Sequence, residues 1–290
     1  MNSLTVFTPT YNRKKTLTRL YASLLNQTCH DFTWIIVDDG STDGTRFLVE
    51  DWIANSPFQI KYFSQENSGK PSAHNRGVKE TDTELFTCVD SDDILTFDAI
   101  EFIRELDCSD VQSVGFLLKK GNLDGSSLTS WNCGLEKTTL SGAYMKYGLS
   151  GDAMLVFKSN VIKKYKFPSF PGEKFVPESY LYDLIDQEGY LIVYDKVLYL
   201  CEYLPDGISA NMRKTNAMNP RGYLAYIENR LKNDRTLKEK ILDTIRYDAI
   251  IWVAQKRGIR TKVRHSVLVG LLFFPSYVFY LKEYAKYTRI

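Results

Sequence analysis

Thr33-Trp34-Ile35-Ile36-Val37-Asp38-Asp39-Gly40-Ser41-Thr42-Asp43 is a β-branched and aromatic run that ends abruptly in carboxylates, a glycine and hydroxyls. The apolar part is too short for a helix and has the composition of a buried strand. Glu84-Leu85-Phe86-Thr87-Cys88-Val89 repeats the pattern and runs into Asp90-Ser91-Asp92-Asp93. Leu4–Thr8, Gln59–Phe63 and Val111–Leu118 are further strands of the same kind. Between the first two strands Leu17, Leu20, Tyr21 and Leu24 fall at i, i+3, i+4 and i+7, the stripe of an amphipathic helix. Similar helical stretches occupy about 44–54, 72–80 and 97–106. Alternating strand and helix predicts an α/β fold with a mainly parallel sheet and flanking helices. Both acidic clusters then project over one edge of that sheet, where ligands of such folds sit.

Acidic residues after a strand have a plainer use as turn and N-cap chemistry, and Ser91, Asp92 or Asp93 can cap the next helix. Asp39–Glu50 also approaches a calcium loop of the helix–loop–helix type, with Ser41 as its one mismatch. That loop is entered from a helix, whereas a strand precedes Asp39, so the calcium reading is set aside. Two clusters on one edge favour instead a hard divalent cation, for which Mg²⁺ typically takes one or two carboxylates plus substrate phosphates.

Charge supports that expectation. The net charge of +2 conceals 20 Lys+Arg against 29 Asp+Glu in residues 1–210, and 17 against 6 in residues 211–290. An acidic body repels a phosphorylated ligand unless a cation or local donors offset the repulsion. Five cysteines without a C-x-x-C pair indicate neither a disulfide framework nor a zinc site and suit a reducing compartment. The N-terminal MNSLTVFTPTYNR lacks the long apolar stretch of a signal peptide.

Farther on, Ala153–Phe157 and Val197–Tyr203 read as strands, with a short helix near 178–188. From about 219 the pattern is helical, with Leu224, Ile227, Leu231 and Ile241, Ile245, Ala249, Trp252 as buried stripes. Lys256, Arg257, Arg260, Lys262 and Arg264 precede an uncharged run, Ser266–Leu281, of 16 residues that contains Pro275. That run is short of the roughly 20 residues that span a bilayer. Two readings stand: an element lying in the headgroups of an anionic membrane, or a helix packed on protein, including a homodimer. No nucleic-acid reader motif accompanies the basic residues.

Four segments in order resemble family-2 glycosyltransferases: Thr8-Pro9-Thr10-Tyr11-Asn12, Val37–Asp43, Asn67-Ser68-Gly69-Lys70 through Ala73, Asn75 and Gly77, and the D-x-D triplet Asp90-Ser91-Asp92 followed by Asp93. The resemblance covers about residues 4–100. It implies a GT-A (Rossmann-like) catalytic domain over residues 1–210, with a nucleotide-sugar half at about 1–118 and an acceptor half at about 119–210. Residues 211–290 are then a helical C-terminal extension. It also implies transfer of a sugar, with inversion, from a nucleoside diphosphate (UDP in the usual case) to a hydroxyl of a glycan or lipid-linked acceptor. The setting is bacterial surface polysaccharide or glycolipid synthesis, cytoplasmic or at the inner face of the cytoplasmic membrane.

By the same resemblance Thr8, Pro9 and Tyr11 line the nucleoside and Asp39 accepts from the base. Asp90 and Ser91 face the ribose and phosphates, Lys70 and Asn75 help hold the donor, and Asp92 ligates Mn²⁺ or Mg²⁺. His74 stands where many relatives carry Arg. The general base is expected at the start of a short helix, where Glu178 is the first choice, with Asp183 and Asp152 as alternates. Glu202–Ser209 resembles a segment that closes over the donor; some relatives carry a metal-binding histidine there and this sequence has none, and a Pro-Asp-Gly turn accounts for Asp206 more simply than a substitute ligand does. Competing functions are a sugar-phosphate nucleotidyltransferase, whose glycine-rich loop Thr8–Arg13 lacks, and a nucleotide-sugar-binding protein without turnover.

Overall fold

Pro9 and the alternating apolar residues of Leu4–Thr10 (β1) form a strand buried along its whole length, as expected for the middle of a sheet covered on both faces. The structure is a computed structural model and describes residues 1–202, 211–233, 236–261 and 270–288. It divides into two compact units, Met1–Lys166 with Leu184–Glu202, and Phe167–Asp183 with the chain from Tyr203 onward.

In chain order the first unit runs α1 (Lys14–Leu25), β2 (Thr33–Asp38), α2 (Thr45–Asn55), β3 (Gln59–Ser64), α3 (Lys70–Glu80), β4 (Leu85–Cys88), β5 (Ile94–Leu95) and α4 (Ala99–Arg104). It continues through β6 (Ser113–Gly121), β7 (Lys137–Thr138), α5 (Leu140–Lys146), β8 (Ala153–Lys158) and α6 (Ser159–Ile162). After the short helix α7 (Ser179–Ile185) comes β9 (Tyr190–Leu200). The sheet order is β3-β2-β1-β4-β8-β6-β9-β5, with β7 on β9. β1 to β4 are mutually parallel, whereas β8 runs antiparallel to both β4 and β6. The final strand begins earlier than the expected Val197–Tyr203, because Tyr190–Val193 already pair with β6, and Tyr203 lies outside the described residues.

Helix α3 lies close on this sheet. A Cβ at Gly77 would come within 2.3 Å of the Phe7 ring, so only glycine allows the approach. Under α1 and α2, Tyr21, Trp34 and Trp52 form an aromatic stack with Tyr21 and Trp52 centroids 4.1 Å apart. Trp34 ties this stack to β1 by donating its indole N–H to the Thr8 hydroxyl at 3.0 Å.

The C-terminal unit contains α8 (Met212–Met218), α9 (Pro220–Lys232), α10 (Leu237–Lys256) and α11 (Phe273–Glu283). Segment 167–183 groups with these helices and not with the sheet, unlike the expected boundary at 210/211. The reason is local: the Glu173 carboxylate accepts the N–H groups of Arg221 and Gly222 at the start of α9, and Asn219 accepts the Lys174 N–H at 2.8 Å. The stripe expected on α10 also needs correction. Ala249 is buried, but Ile241, Ile245 and Trp252 are only partly so, while Asp243, Tyr247, Asp248 and Ile250 face inward. Polar residues can occupy that face because Arg230 and Arg246 pair with Asp243, and Ser276 donates to Asp248 at 3.0 Å.

Candidate active site

β1 lies between β2 and β4, and all three run in the same direction. Their following loops therefore meet at one edge. The loop after β1 touches both acidic loops. Asn12, with φ 51°, donates its backbone N–H to the Ser41 hydroxyl and accepts the Thr42 N–H on its side-chain oxygen, both at 2.8 Å. On the other side, Arg13 lies 3.4 Å from the Asp92 carboxylate. Arg19, from α1, donates to the Asp92 carbonyl and approaches Glu202 at 3.5 Å.

The loop after β2 is organised by its own carboxylates. Asp38 accepts the Ser41 N–H at 2.8 Å and the Tyr62 hydroxyl at 2.6 Å. Burial, then the hydrogen bond to Asp38, raises the Tyr62 hydroxyl far above the ordinary tyrosine range. Asp39 accepts from Gln65 at 2.8 Å, from the Ser68 N–H at 2.9 Å and from the Gly69 N–H at 2.7 Å. The residue expected to meet a base thus first holds the segment that leads into α3.

The loop after β4 gathers charge of both signs. Lys70, at the start of α3, pairs with Asp90 at 2.6 Å. Burial acts to raise the Asp90 carboxyl, but Lys70, Lys120 and Arg13 outweigh it and hold it low. Tyr199 donates to Asp93 at 2.6 Å and accepts the Asp90 N–H at 3.0 Å, while the Lys120 ammonium sits 3.9 Å from its ring centroid. Burial, then the neighbouring Asp90 and Asp92, lifts the Asp93 carboxyl to about 6 against the Tyr199 bond.

The expected residues divide by exposure. Tyr11 is 48% exposed, Lys70, Asn75, Asp90 and Asp92 are partly exposed, and Pro9 and Ser91 are buried. Thr8 is fully buried, with its hydroxyl accepting the Trp34 indole N–H at 3.0 Å. His74 is buried against the edges of Phe7 and Phe86, and burial, then Lys70, pushes its pKa down to about 3. It brings no charge to replace the arginine of relatives. Arg13, Lys120 and Tyr199 were not foreseen. Arg13 directly follows the first motif, but no signal marks Lys120 or Tyr199, which the sheet delivers from distant sequence.

Among the three base candidates, Glu178 is exposed immediately before α7. Asp183 is buried in the C-terminal unit, within the field of Arg230 and Tyr226. Asp152 is exposed at the start of β8, and antiparallel pairing with β4 brings that strand start to the edge where Asp90 lies. Asp206 and most of Glu202–Ser209 lie outside the described residues.

Among the described residues, no group of three or more His, Cys, Asp or Glu side chains is placed to hold an ion alone. The oxygen donors of Asp90 and Asp92 suit Mg²⁺ or Mn²⁺ sharing its ligands with a diphosphate. No described helix is long and apolar enough to cross a membrane.

The family model described as glycosyl transferase family 2 matches residues 5–120. Chondroitin synthase from Escherichia coli is 39% identical over 98 residues, which are 34% of this chain and 14% of that protein. The GalNAc(5)-diNAcBac-PP-undecaprenol beta-1,3-glucosyltransferase of Campylobacter jejuni is 29% identical over 168 residues, 57% of this chain and 49% of the relative. The chain thus spans half or less of these relatives. The crystal structure of S. aureus TarS 1–349 in complex with UDP-GlcNAc superposes with a TM-score of 0.59 at 18% identity, covering 99% of this chain and 82% of that one. Residues 5–120 thus resemble glycosyl transferase family 2, and the chain has the GT-A fold.

Proposed function

We propose that this protein transfers a sugar, with inversion at the anomeric carbon, from a UDP-sugar to a hydroxyl of a glycan or lipid-linked acceptor in bacterial surface polysaccharide or glycolipid synthesis. The observation that carries the reading is the β1 loop joining two acidic loops, with Arg13 and Lys70 set against Asp92 and Asp90. Relatives named as acting on glycans support the acceptor class, and the UDP-GlcNAc complex of a structural neighbour supports the donor class.

In this mechanism Tyr11 flanks the nucleoside, and Asp39 holds the Ser68–Gly69 backbone that shapes its pocket. Arg13 and Lys70 exchange carboxylate partners for donor phosphate oxygens. Asp92 would hold Mn²⁺ or Mg²⁺, which when bound neutralises charge gathering on the departing diphosphate. Glu178 takes the proton of the acceptor hydroxyl as its oxygen attacks the anomeric carbon and the bond to the diphosphate breaks.

Thermal-shift titration of UDP-, GDP- and dTDP-sugars with and without Mn²⁺ tests this. A ligand at one hundred times its Kd stabilises the native state by about 2.7 kcal/mol, enough for a clear rise in Tm. UDP-sugar with Mn²⁺ is expected to give that rise, and Asp92→Ala to lose its metal-dependent part. No response to any nucleoside diphosphate sugar overturns the reading. An unchanged response in Asp92→Ala removes that residue from the metal site. Turnover with a matching acceptor separates an enzyme from a binding protein.

A further inference from the structure

Helix α11 is held by a narrow buried edge and leaves the rest of its surface bare. Ser276, Tyr280 and the following Tyr284 are buried, and Trp252 of α10 meets the rings of Phe273 at 5.3 Å and Tyr277 at 5.5 Å. On the outside stand Leu271 and Phe274, each 74% exposed, with Phe273, Tyr277, Val278 and Leu281. Within α11, Phe274, Val278 and Leu281 fall at i, i+4 and i+7 on one apolar face, and Leu271 is exposed just ahead of the helix. Such a face in water calls for a partner.

Charge identifies the partner. Lys256 follows Trp252 by one helical turn, which sets it beside the Phe273 end of the face, and Arg260 is exposed just after. Lys282 follows Val278 by one turn at the other end, and Lys286 is exposed beyond it. The acid within α11, Glu283, is paired with Arg213 at 3.1 Å. Asp243 and Asp248 of α10 are buried and bonded inward. Apolar side chains bracketed by exposed surface cations, in a region with 17 Lys+Arg against 6 Asp+Glu, match an anionic lipid surface. A helix of this length, roughly 16 Å, offers far less than the roughly 800 Å² per partner of a standard dimer. Pro275 falls in the first turn, where it costs no helical hydrogen bond.

We propose that α11 is a monotopic membrane anchor. Its Phe274, Val278 and Leu281 face lies in the lipid interface together with Leu271 just before it, and Lys256, Arg260, Lys282 and Lys286 rest on anionic headgroups. This holds whether or not the assigned donor is correct.

The test is co-sedimentation of the full chain with vesicles of phosphatidylcholine alone, or with phosphatidylglycerol added. Binding is expected only to the anionic vesicles and is expected to weaken with salt. Phe274→Glu with Leu281→Glu should abolish it while leaving the circular dichroism spectrum and Tm unchanged. Lys256→Gln with Arg260→Gln should lower the partition coefficient by roughly ten- to thirtyfold, from about 1 kcal/mol per charge. Equal binding to neutral vesicles, or binding indifferent to the glutamates, overturns the proposal. So does absence of vesicle binding together with a dimer, seen by sedimentation equilibrium, that the same glutamates dissociate.

Discussion

The side-chain oxygen of Asn12 accepts the backbone N–H of Thr42 at 2.8 Å, tying the loop after the first strand to the loop after the second. The next residue, Arg13, faces Asp92 beyond the fourth. Two consecutive side chains thus set the spacing of both acidic loops. Asn12 does this from φ 51°, a left-handed conformation that asparagine tolerates better than most residues.

Substitution at position 12 therefore separates backbone strain from the lost staple. Asn12→Gly keeps the conformation and loses the side-chain bond, at about 0.5–1.5 kcal/mol. Asn12→Ala adds left-handed strain of roughly 1 kcal/mol or more. Both are expected to weaken donor binding, and urea unfolding should rank Ala below Gly. Equal stabilities would show that the φ of Asn12 stores no strain.

Gly77 tests the contact of α3 with the sheet. Alanine in a helix interior is ordinarily favoured over glycine by about 1 kcal/mol. Here its Cβ would sit 2.3 Å from Phe7 ring atoms. Overpacking of that kind costs about 1–3 kcal/mol, so Gly77→Ala is expected to be destabilising on balance. Adding Phe7→Leu should return part of the loss, as measured by Tm. If Gly77→Ala raises Tm, α3 stands farther from β1 than described.

His74 makes stability depend on pH in a definite direction. Its pKa is pushed down to about 3 by burial and then by Lys70, against an ordinary value of 6.5. Between these values the unfolded chain binds a proton that the folded protein refuses. The stabilising contribution is full above pH 6.5 and is lost progressively as pH falls toward 3. Tm measured from pH 7 to pH 4 should fall, and His74→Leu should flatten that fall. His74→Arg should destabilise the protein at all pH values, since it buries a cation between Phe7 and Phe86.

Why some features were legible and others not follows from where their causes lie. Strands β1 to β4 announced themselves because each is a short run rich in β-branched, aromatic and apolar residues, and the acidic loops because carboxylates follow β2 and β4. Tyr199 and Lys120 were invisible, because β9 pairs with β5 beside the D-x-D loop and so brings Tyr199 to Asp90 across 109 residues of sequence, while its pairing with β6 sets Lys120 opposite Tyr199. The bond from the Trp34 indole to the Thr8 hydroxyl could not be read in advance, because it depends on the pairing of β1 with β2. The α10 stripe failed because its inward face carries Asp243 and Asp248, whose partners on α9 and α11 no hydrophobic period reveals.

The three base candidates differ in environment enough for one set of variants to distinguish them. Glu178→Gln is expected to lower kcat by about 10²–10⁴-fold, with the donor-induced thermal shift unchanged, because a base acts on the acceptor proton alone. Asp183→Asn should instead lower Tm with kcat per folded molecule retained, since Asp183 is buried near Arg230 and its charge is offset there. Asp152→Asn removes an exposed charge at the Asp90 edge and should leave kcat within a fewfold of the parent. Should Asp152→Asn abolish turnover and Glu178→Gln spare it, the base would belong to β8 and not to the segment before α7.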